Sequence, residues 1–457
     1  MEKRIKMNQE YRNKVIQGNN LEVLKQIPDN TFDSVVTDPP YGISFMGKKW
    51  DYDVPSVETW QEVFRVLKPG GHMLVACGTK TQHRMAVNIE DAGFEIRDIV
   101  AWVYGSGFPK SMDVSKAIDK RLGAEREVIG KSNNARPNSK KENNLYQAGT
   151  VGKDFNLTAP STEEAKQWQG WGTALKPAME LWTLARKPLK GTVAQNVLEY
   201  GVGGLNIDGC RVGVEEITTN GSGKQKNSWL PKSDKPLNTT HTGRFPANLI
   251  HDGSEEVVSL FPHTESGKMT SQHQRHTDGS PNGIYGKFDV NHPLSETYGD
   301  EGSASRFFYV PKASQKERNF GLEGFVKKQK VFNGQSDKSS KEMKGVEAKF
   351  TTKPKANIHP TVKPIDLMRY LVRMITPKGG IVLEPYAGSG TTLIACKLES
   401  MQYVGIEIEK DYIDIIEARL EAYQNYDDSM DTKTVIKESN KDLKEKDFGI
   451  LNIFDFL

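Results

Sequence analysis

The stretch FDSVVTDPPYG, residues 32–42, decides the fold class of this chain of 457 residues. It opens with a short apolar run of the kind that forms a buried strand. Two prolines then end that strand, because proline fixes φ and has no N–H donor. On both sides, strand-like runs alternate with segments whose apolar residues recur at helical spacing. This alternation predicts an α/β sheet with right-handed crossovers.

A long middle region interrupts the alternation. The pattern stops near residue 106 and returns after residue 358, and the sequence between these points is rich in Asn, Ser, Gly, Thr and Lys. Neither α/β region alone has enough strands for a full doubly wound sheet. We therefore predict one sheet assembled from N-terminal and C-terminal segments. Residues 180–188 are predicted to return to it as a strand antiparallel to residues 96–105.

Composition excludes several classes of protein. Mean hydropathy is −0.60, and no apolar run is long enough to span a membrane. Three cysteines are too few for a disulfide framework, so we expect a cytoplasmic protein. The net charge is only +3, but residues 312–355 carry 12 Lys or Arg against 5 Asp or Glu. This basic stretch is either a solvated linker or a surface that faces nucleic acid.

The segment TDPPYG, residues 37–42, carries acceptors that suit an amine. It follows a buried strand at the carboxyl edge, where open α/β sheets place their ligands. The carboxylate of Asp38 and the carbonyl of Pro39 can accept both hydrogens of an exocyclic amino group, while Tyr41 stacks on the attached ring. Two acceptors favour the pyramidal amine, whose lone pair is free to attack. The alternative is a structural Pro-Pro turn with a packed tyrosine.

The stretch EPYAGSGTT, residues 384–392, follows a second predicted strand and opens a helix. Its glycines allow a tight turn, and the helix N-terminus offers N–H groups to a carboxylate or phosphate. It lacks the lysine of a P-loop and the full GxGxxG pattern, which argues against a nucleoside triphosphate or NAD. Glu407 ends the next strand, where an acidic side chain is placed to bind ribose hydroxyls. The alternative is an ordinary turn, with Glu407 as a surface charge.

Together these segments resemble the DNA amino-methyltransferases that use S-adenosylmethionine. TDPPYG is similar to their catalytic motif IV, EPYAGSGTT to motif I of the donor site, and HPTVKPIDLMRYLV, residues 359–372, to motif X. The catalytic half comes first, which is the circularly permuted order of the beta group. Several middle segments, such as GRFPANLIHDG at 243–253, resemble versions carried by phages and prophages. The resemblance implies a Rossmann-like methyltransferase sheet with a long inserted target-recognition region.

The resemblance also implies roles for individual residues. The residues implied to hold and activate the target amine are Asp38, Pro39, Pro40 and Tyr41. The residues implied to bind S-adenosylmethionine are Asn19, Thr361, Lys363, Glu384, Pro385, Gly388, Gly390, Thr391, Thr392 and Glu407. Helix capping by the two adjacent threonines and a surface position for Lys363 are the structural alternatives. Asn19 stands where the family commonly has aspartate, so its contact with the donor's adenine lacks that charge.

The first residue of the catalytic motif indicates the target base. Asp-Pro-Pro-Tyr usually accompanies N6 of adenine and Ser-Pro-Pro-Tyr N4 of cytosine. We therefore predict an adenine-N6 methyltransferase that flips its target base out of double-stranded DNA. The alternatives are a cytosine-N4 enzyme, an RNA methyltransferase and an inactive DNA-binding or donor-binding module. A homodimer and a cognate restriction enzyme are further partner hypotheses, and the expected location is the cytoplasm of a bacterium or a phage-infected host.

The resemblance divides the chain into six predicted segments. They are a catalytic half of the core at 1–105, an insert at 106–170, a return strand at 171–189, a target-recognition region at 190–358, a donor-binding half at 359–424 and a tail at 425–457. In the recognition region, Arg211, Arg244, Arg306 and Arg318 are candidate DNA contacts, with ordinary surface positions as the alternative. The scattered histidines have no metal-ligand spacing, so no metal is predicted.

Overall fold

A computed structural model gives the structure of most of the chain. The described residues are 11–43, 51–107, 111–132, 155–220, 238–266, 300–311, 315–322, 325, 331–332, 350–351, 357–359 and 361–424. The lysines between 327 and 355 and the tail from 425 lie outside these residues. What the sequence predicts for those two segments therefore stays a prediction.

The strands and helices of the described residues alternate most regularly at the two ends of the chain. The strands are β1 (Lys14–Gln17), β2 (Phe32–Thr37), β3 (Leu67–Gly78), β4 (Glu95–Val103), β5 (Val128–Ser132), β6 (Phe155–Thr158), β7 (Met179–Arg186), β8 (Val212–Asn220), β9 (Asn238–Arg244), β10 (Leu249–His251), β11 (His263–Ser266), β12 (Asp300–Ser303), β13 (Val331–Phe332), β14 (Phe350–Thr351), β15 (Ile381–Glu384) and β16 (Gln402–Glu407). The helices are α1 (Asn20–Gln26), α2 (Val57–Val66), α3 (Gln82–Asp91), α4 (Val114–Leu122), α5 (Glu163–Gln167), α6 (Val193–Tyr200), α7 (Glu255–Val258), α8 (Gln315–Asn319), α9 (Ile365–Ile375), α10 (Thr391–Leu398) and α11 (Lys410–Ala422).

One eight-stranded sheet organises the fold, in the order β1-β16-β15-β2-β3-β7-β4-β10. Neighbouring strands are parallel, except that β7 runs antiparallel to both β3 and β4. The C-terminal strands β15 and β16 lie between the N-terminal strands β1 and β2. The predicted Rossmann-like α/β sheet, built from both ends of the chain, is therefore confirmed. The antiparallel return strand expected at 180–188 is β7.

Strand β2 lies at the centre of the sheet and is buried along its whole length. Its successive side chains point to opposite faces. Val35 packs in a cluster with Trp60 of α2, and Val36 packs in a second cluster with Leu367 and Leu371 of α9. Burying each side chain of this size stabilises the fold by about 1.5–3 kcal/mol. Because both faces of β2 are covered, the turn after it is anchored to a rigid strand.

The carboxyl ends of β2 and β15 meet at one edge of the sheet. The two strands are parallel neighbours, with Leu383 opposite Val35. They end at Thr37 and Glu384. Parallel neighbours in register finish at the same edge, so the Asp-Pro-Pro-Tyr turn and the glycine turn lie side by side.

The middle of the chain adds small antiparallel pairs outside this sheet. These pairs are β5 with β6, β8 with β9, β11 with β12 and β13 with β14. Strand β10 then rejoins the sheet beside β4. Within the described part of the chain, no helix has the length and apolar character needed to cross a membrane.

Candidate active site

The Asp-Pro-Pro-Tyr turn is fixed by hydrogen bonds along its backbone and side chains. The Tyr41 hydroxyl donates to Asp38 Oδ1 over 2.7 Å. The N–H groups of Tyr41 and Gly42 donate to Asp51 Oδ1, at 2.6 and 3.1 Å. Thr81 Oγ1 donates to the Tyr41 carbonyl over 2.5 Å. The turn therefore presents its carboxylate and its aromatic ring in one arrangement.

Lys363 lies against this turn, just before α9. Its Nζ is 2.8 Å from Asp38 Oδ2, 3.1 Å from the Tyr41 hydroxyl and 3.1 Å from Glu180 Oε2. The Lys363 side chain is only 4% exposed, so the surface alternative is wrong. Lys363, implied by the resemblance to bind the donor, contacts the catalytic motif in this structure.

Burial controls the protonation of the groups around Lys363. Burial and the nearby Asp38 carboxylate raise the pKa of Tyr41 well above its usual value, so its hydroxyl keeps its proton and donates. Burial also raises the pKa of Glu180, and the adjacent Lys363 ammonium opposes that rise. Each ionised group in this cluster therefore depends on its neighbours for stabilisation.

The glycine turn after β15 has the backbone shape that its sequence predicts. Gly388 and Gly390 have φ values of +55° and +77°, in the left-handed region that favours glycine. A Cβ on Gly388 would lie 2.9 Å from His359 Nε2. Gly390 is the N-cap of α10, and no side chain caps that helix. The N–H groups of its first turn are therefore suited to bind an anionic group.

Glu384 joins the glycine turn to the end of β2. It is 2% exposed and accepts hydrogen bonds from the Thr37 hydroxyl, from Thr392 Oγ1 at 2.6 Å and from the Tyr386 N–H at 3.1 Å. Burial raises the pKa of Glu384 to about 8. Since Thr37 immediately precedes Asp38, Glu384 ties the two turns together.

Glu407, at the end of β16, also faces the glycine turn. It is buried, so the alternative of a surface charge is wrong. Its Oε2 accepts from the Gly388 N–H over 2.8 Å and its Oε1 from the Glu409 N–H over 2.9 Å. Burial raises the pKa of Glu407. The Ile408 N–H is a further donor to this carboxylate. A carboxylate has about four acceptor positions, so the group can still bind a hydroxyl.

The two threonines of the glycine turn face the protein interior. Both are buried; Thr392 donates to Glu384, and Thr391 Oγ1 lies 3.3 Å from Arg419 Nη1. Arg419 also donates to the carbonyl of Ser389, and burial lowers the pKa of its guanidinium to about 10. The capping alternative for the threonines is wrong, because Gly390 occupies the N-cap. These residues support the turn from below.

Comparison with known families agrees with this arrangement. The N6/N4 methyltransferase model, described as DNA methylase, matches residues 32–253 and 267–418, well over half of the chain. The chain belongs to the DNA methylase family.

Individual DNA methylases resemble this chain over short segments. The Type II methyltransferase M.Cfr9I of Citrobacter freundii is 32% identical over 118 residues, which are 26% of this chain and 33% of that protein. The Type II methyltransferase M.HpaI of Haemophilus parainfluenzae is 37% identical over 87 residues, 19% of this chain and 27% of that protein. The chain thus spans a third or less of the length of these relatives. Among solved structures, this chain is similar to PvuII DNA methyltransferase, titled cytosine-N4-specific. The two are 13% identical, and the match covers 95% of this chain and 94% of that one. Its TM-score of 0.38 is too low to bear on the fold or the target base.

Several residues that the resemblance assigns to the donor site have local roles that the resemblance does not imply. Asn19 caps α1, where its Oδ1 accepts from the N–H groups of Leu21 and Glu22 at 3.0 and 3.4 Å. The carbonyl of Thr361 is a partner of His359 Nδ1. Pro385 is buried in the glycine turn. Asn19 is therefore engaged as a helix cap.

The four arginines predicted to contact DNA all make contacts within the fold, and Arg244 lies with its guanidinium 5.2 Å from the centre of the Phe307 ring. Arg306 donates to two carbonyls of β12, at 2.5 and 2.8 Å. Arg318 donates to the carbonyl of His359 over 2.8 Å. Arg211 forms an ion pair of 2.8 Å with a neighbouring aspartate. These contacts stabilise local structure, and a role of the four arginines in DNA binding stays a prediction.

The sequence reasoning missed Glu180 and Asp51. Glu180 is the second residue of β7, and a charged residue near the end of a largely buried strand is a signal for a site. Asp51 has no such signal, because it reaches the turn from a separate loop. Within the described residues, no cluster of three His, Cys, Asp or Glu side chains is arranged to hold a metal ion.

Proposed function

We propose that the protein transfers a methyl group from S-adenosylmethionine to N6 of a flipped-out adenine in double-stranded DNA. The observation that carries this proposal is that the Asp-Pro-Pro-Tyr turn and the glycine turn lie side by side at one edge of the sheet. Glu384 bonds to Thr37, next to Asp38, and to Thr392, in the glycine turn. An amine acceptor and a site for an anionic ligand group are therefore adjacent, as a transfer between two bound molecules requires.

The glycine turn fits the methyl donor in shape and polarity. The left-handed backbone of Gly388 and Gly390 makes a tight turn, and the uncapped N-terminus of α10 suits the carboxylate of the donor's methionine end. Glu407, beside Gly388, is suited to accept ribose hydroxyls. When bound, S-adenosylmethionine supplies a methyl group on a sulfonium, which is already a good leaving group. The chain's own residues then need only to bind, orient and exclude water.

The Asp-Pro-Pro-Tyr turn would hold the amine to be methylated. The Asp38 carboxylate and the Pro39 carbonyl accept its two hydrogens, and Pro40 stiffens the turn. The amine nitrogen gains positive charge as it reacts, and a nearby carboxylate stabilises that charge. Tyr41 keeps Asp38 oriented through its hydroxyl and offers its ring to the base. These roles need no metal and no covalent intermediate.

Adenine is proposed as the target base because the motif begins with aspartate, by resemblance to the adenine-N6 enzymes. The amine of a paired adenine lies inside the duplex, so the base must leave the stack at a cost of a few kcal/mol. Stacking on an aromatic ring recovers part of that cost. Tyr41 is the candidate for this contact.

The test is incubation of the protein with labelled S-adenosylmethionine and mixed-sequence duplex DNA, followed by nucleoside analysis. We expect label in N6-methyladenine at defined sites. Label in N4-methylcytosine would show that the target base is cytosine. Label in RNA alone would show that the substrate is RNA. Absence of transfer to any nucleic acid, in a protein that binds the donor, would contradict the enzyme proposal.

A further inference from the structure

Lys363 stands between two carboxylates that belong to different elements of the fold. Its Nζ lies 2.8 Å from Asp38 Oδ2, in the turn after β2, and 3.1 Å from Glu180 Oε2, near the start of β7. The three side chains are 4%, 19% and 12% exposed for Lys363, Asp38 and Glu180. Water therefore screens this cluster weakly, and its charges interact strongly.

The direction of β7 is the reason that Glu180 reaches the site. The parallel strands β3 and β4 end at the carboxyl edge, and β7 runs antiparallel between them. The beginning of β7 therefore lies at that same edge, where Glu180 is opposite Gly78 on one side and Trp102 on the other. Burying a carboxylate here is costly, and the Lys363 ammonium offsets part of the cost.

The charges of Asp38, Lys363 and Glu180 suggest a function for Glu180. Asp38 paired with Lys363 alone would form a neutral pair, and an ammonium so close would oppose the positive charge that develops on the target amine. The Lys363 ammonium, 3.1 Å away, favours the ionised form of Glu180 against its burial. With Glu180 ionised, two carboxylates face one ammonium, and the cluster keeps one negative charge. Lys363 can also move toward Glu180 without losing an acidic partner when the amine approaches Asp38.

We propose that Glu180 is a positioning residue that holds Lys363, so that the Asp38 carboxylate retains its negative charge for the target amine. The inference rests on the proposed methyl transfer and assigns Glu180 a function within it. Glu180 does not touch the amine itself. Its effect passes through Lys363, and this makes the two residues energetically dependent on each other.

The test is steady-state kinetics of Glu180→Gln, Lys363→Met and the double variant, with duplex DNA and S-adenosylmethionine. Glu180→Gln keeps the side-chain shape but leaves Asp38 and Lys363 as a neutral pair. We expect its kcat to fall about 10–100-fold, with the donor Kd unchanged within about twofold. The double variant removes the ammonium as well, so its kcat should exceed that of Glu180→Gln by at least about fivefold. Glu180→Asp, which keeps the charge, should retain more activity than Glu180→Gln.

The controls separate this inference from folding and from the proposed function. Glu58→Gln, at an exposed glutamate that pairs with Lys25, should leave kcat unchanged. Thermal unfolding and donor binding identify any variant that does not fold, and Glu180→Asp then provides the comparison. A wild-type protein without transfer would overturn the proposed function. An active wild type in which Glu180→Gln keeps its kcat, or in which the two single losses multiply in the double variant, would overturn the role of Glu180.

Discussion

The two turns at the carboxyl edge hold their carboxylates in opposite ways. Glu384, at the glycine turn, is bound by two hydroxyls and an N–H group, and no ion pair of it occurs among the described residues. Asp38, in the neighbouring turn, is bound by a hydroxyl and by the Lys363 ammonium. Burial raises the pKa of Glu384 to about 8, so this group keeps its proton at neutral pH. We call Glu384 a brace because it bonds to Thr37, before one turn, and to Thr392, in the other. At the same edge of the sheet, Glu384 joins two segments as a carboxylic acid, and Asp38 provides a negative charge as a carboxylate paired with Lys363.

The largest effect is expected from Asp38→Ala, which removes the carboxylate of the Asp-Pro-Pro-Tyr turn. If Asp38 presents the charge that activates the amine, we expect methyl transfer to fall by at least about 10³-fold, while donor Kd changes less than about threefold. Single-turnover transfer and calorimetric donor binding measure the two quantities. Asp38→Asn, which keeps the shape and one acceptor, is the matched variant. A large loss of donor affinity in both variants would move Asp38 to the donor site.

Gly388→Ala tests the other turn. The new Cβ would lie 2.9 Å from His359 Nε2, in a backbone with φ of +55°, so the turn must shift. We expect donor binding to weaken about 10–100-fold and the unfolding free energy to fall by about 1–2 kcal/mol. Gly379→Ala is the control, because Gly379 has φ of +71° but no heavy atom within 4 Å of its would-be Cβ. Equal donor affinity in the two variants would show that the turn does not bind the donor.

The burial of Glu384 predicts a pH dependence of stability, because burial raises its pKa more than the hydrogen bonds from its neighbours lower it. Its pKa is about 8 in the fold against 4.5 for an ordinary glutamate, so the folded state holds the proton more tightly. That stabilisation is complete below about pH 4.5 and is lost as the pH rises through about 8. Relative to Glu384→Gln, the wild type should lose at most about 1.4 kcal/mol of unfolding free energy per pH unit in this window. Denaturant unfolding at several pH values measures this loss, and parallel curves for the two proteins would contradict the raised pKa of Glu384.

The sequence predicted the two turns because each depends on local information. A buried strand that ends in Asp-Pro-Pro-Tyr, and another that ends in a glycine turn before a helix, place their ligands at the carboxyl edge of any parallel sheet. The strand that returns antiparallel to β4 was also predicted, from the strand-like segment at 180–188. These features needed no knowledge of which side chains meet.

The contacts of Lys363 could not be predicted in the same way. Lys363 is 325 positions from Asp38 in the chain, and its approach to Glu180 depends on the direction of β7. The sequence gives no register for such pairs. The helix-cap role of Asn19, by contrast, depends on a local signal, because an asparagine directly before a helical run is a preferred N-cap. Its contact with the donor stays a prediction.

Asn19→Ala gives the smallest expected effect and separates these two roles. If Asn19 acts as the cap of α1, the variant should lose about 1 kcal/mol of unfolding free energy. Its donor Kd should then stay within about twofold of the wild type. Asn19→Ser, which keeps a capping oxygen but shortens the side chain, should recover most of the stability. An adenine contact would instead reduce donor affinity about tenfold in both variants, whatever their stability. Because the cap bonds use the same Oδ1 that would face the adenine, a helix-cap outcome would also mean that the glycine turn and Glu407 supply the main donor contacts of this chain.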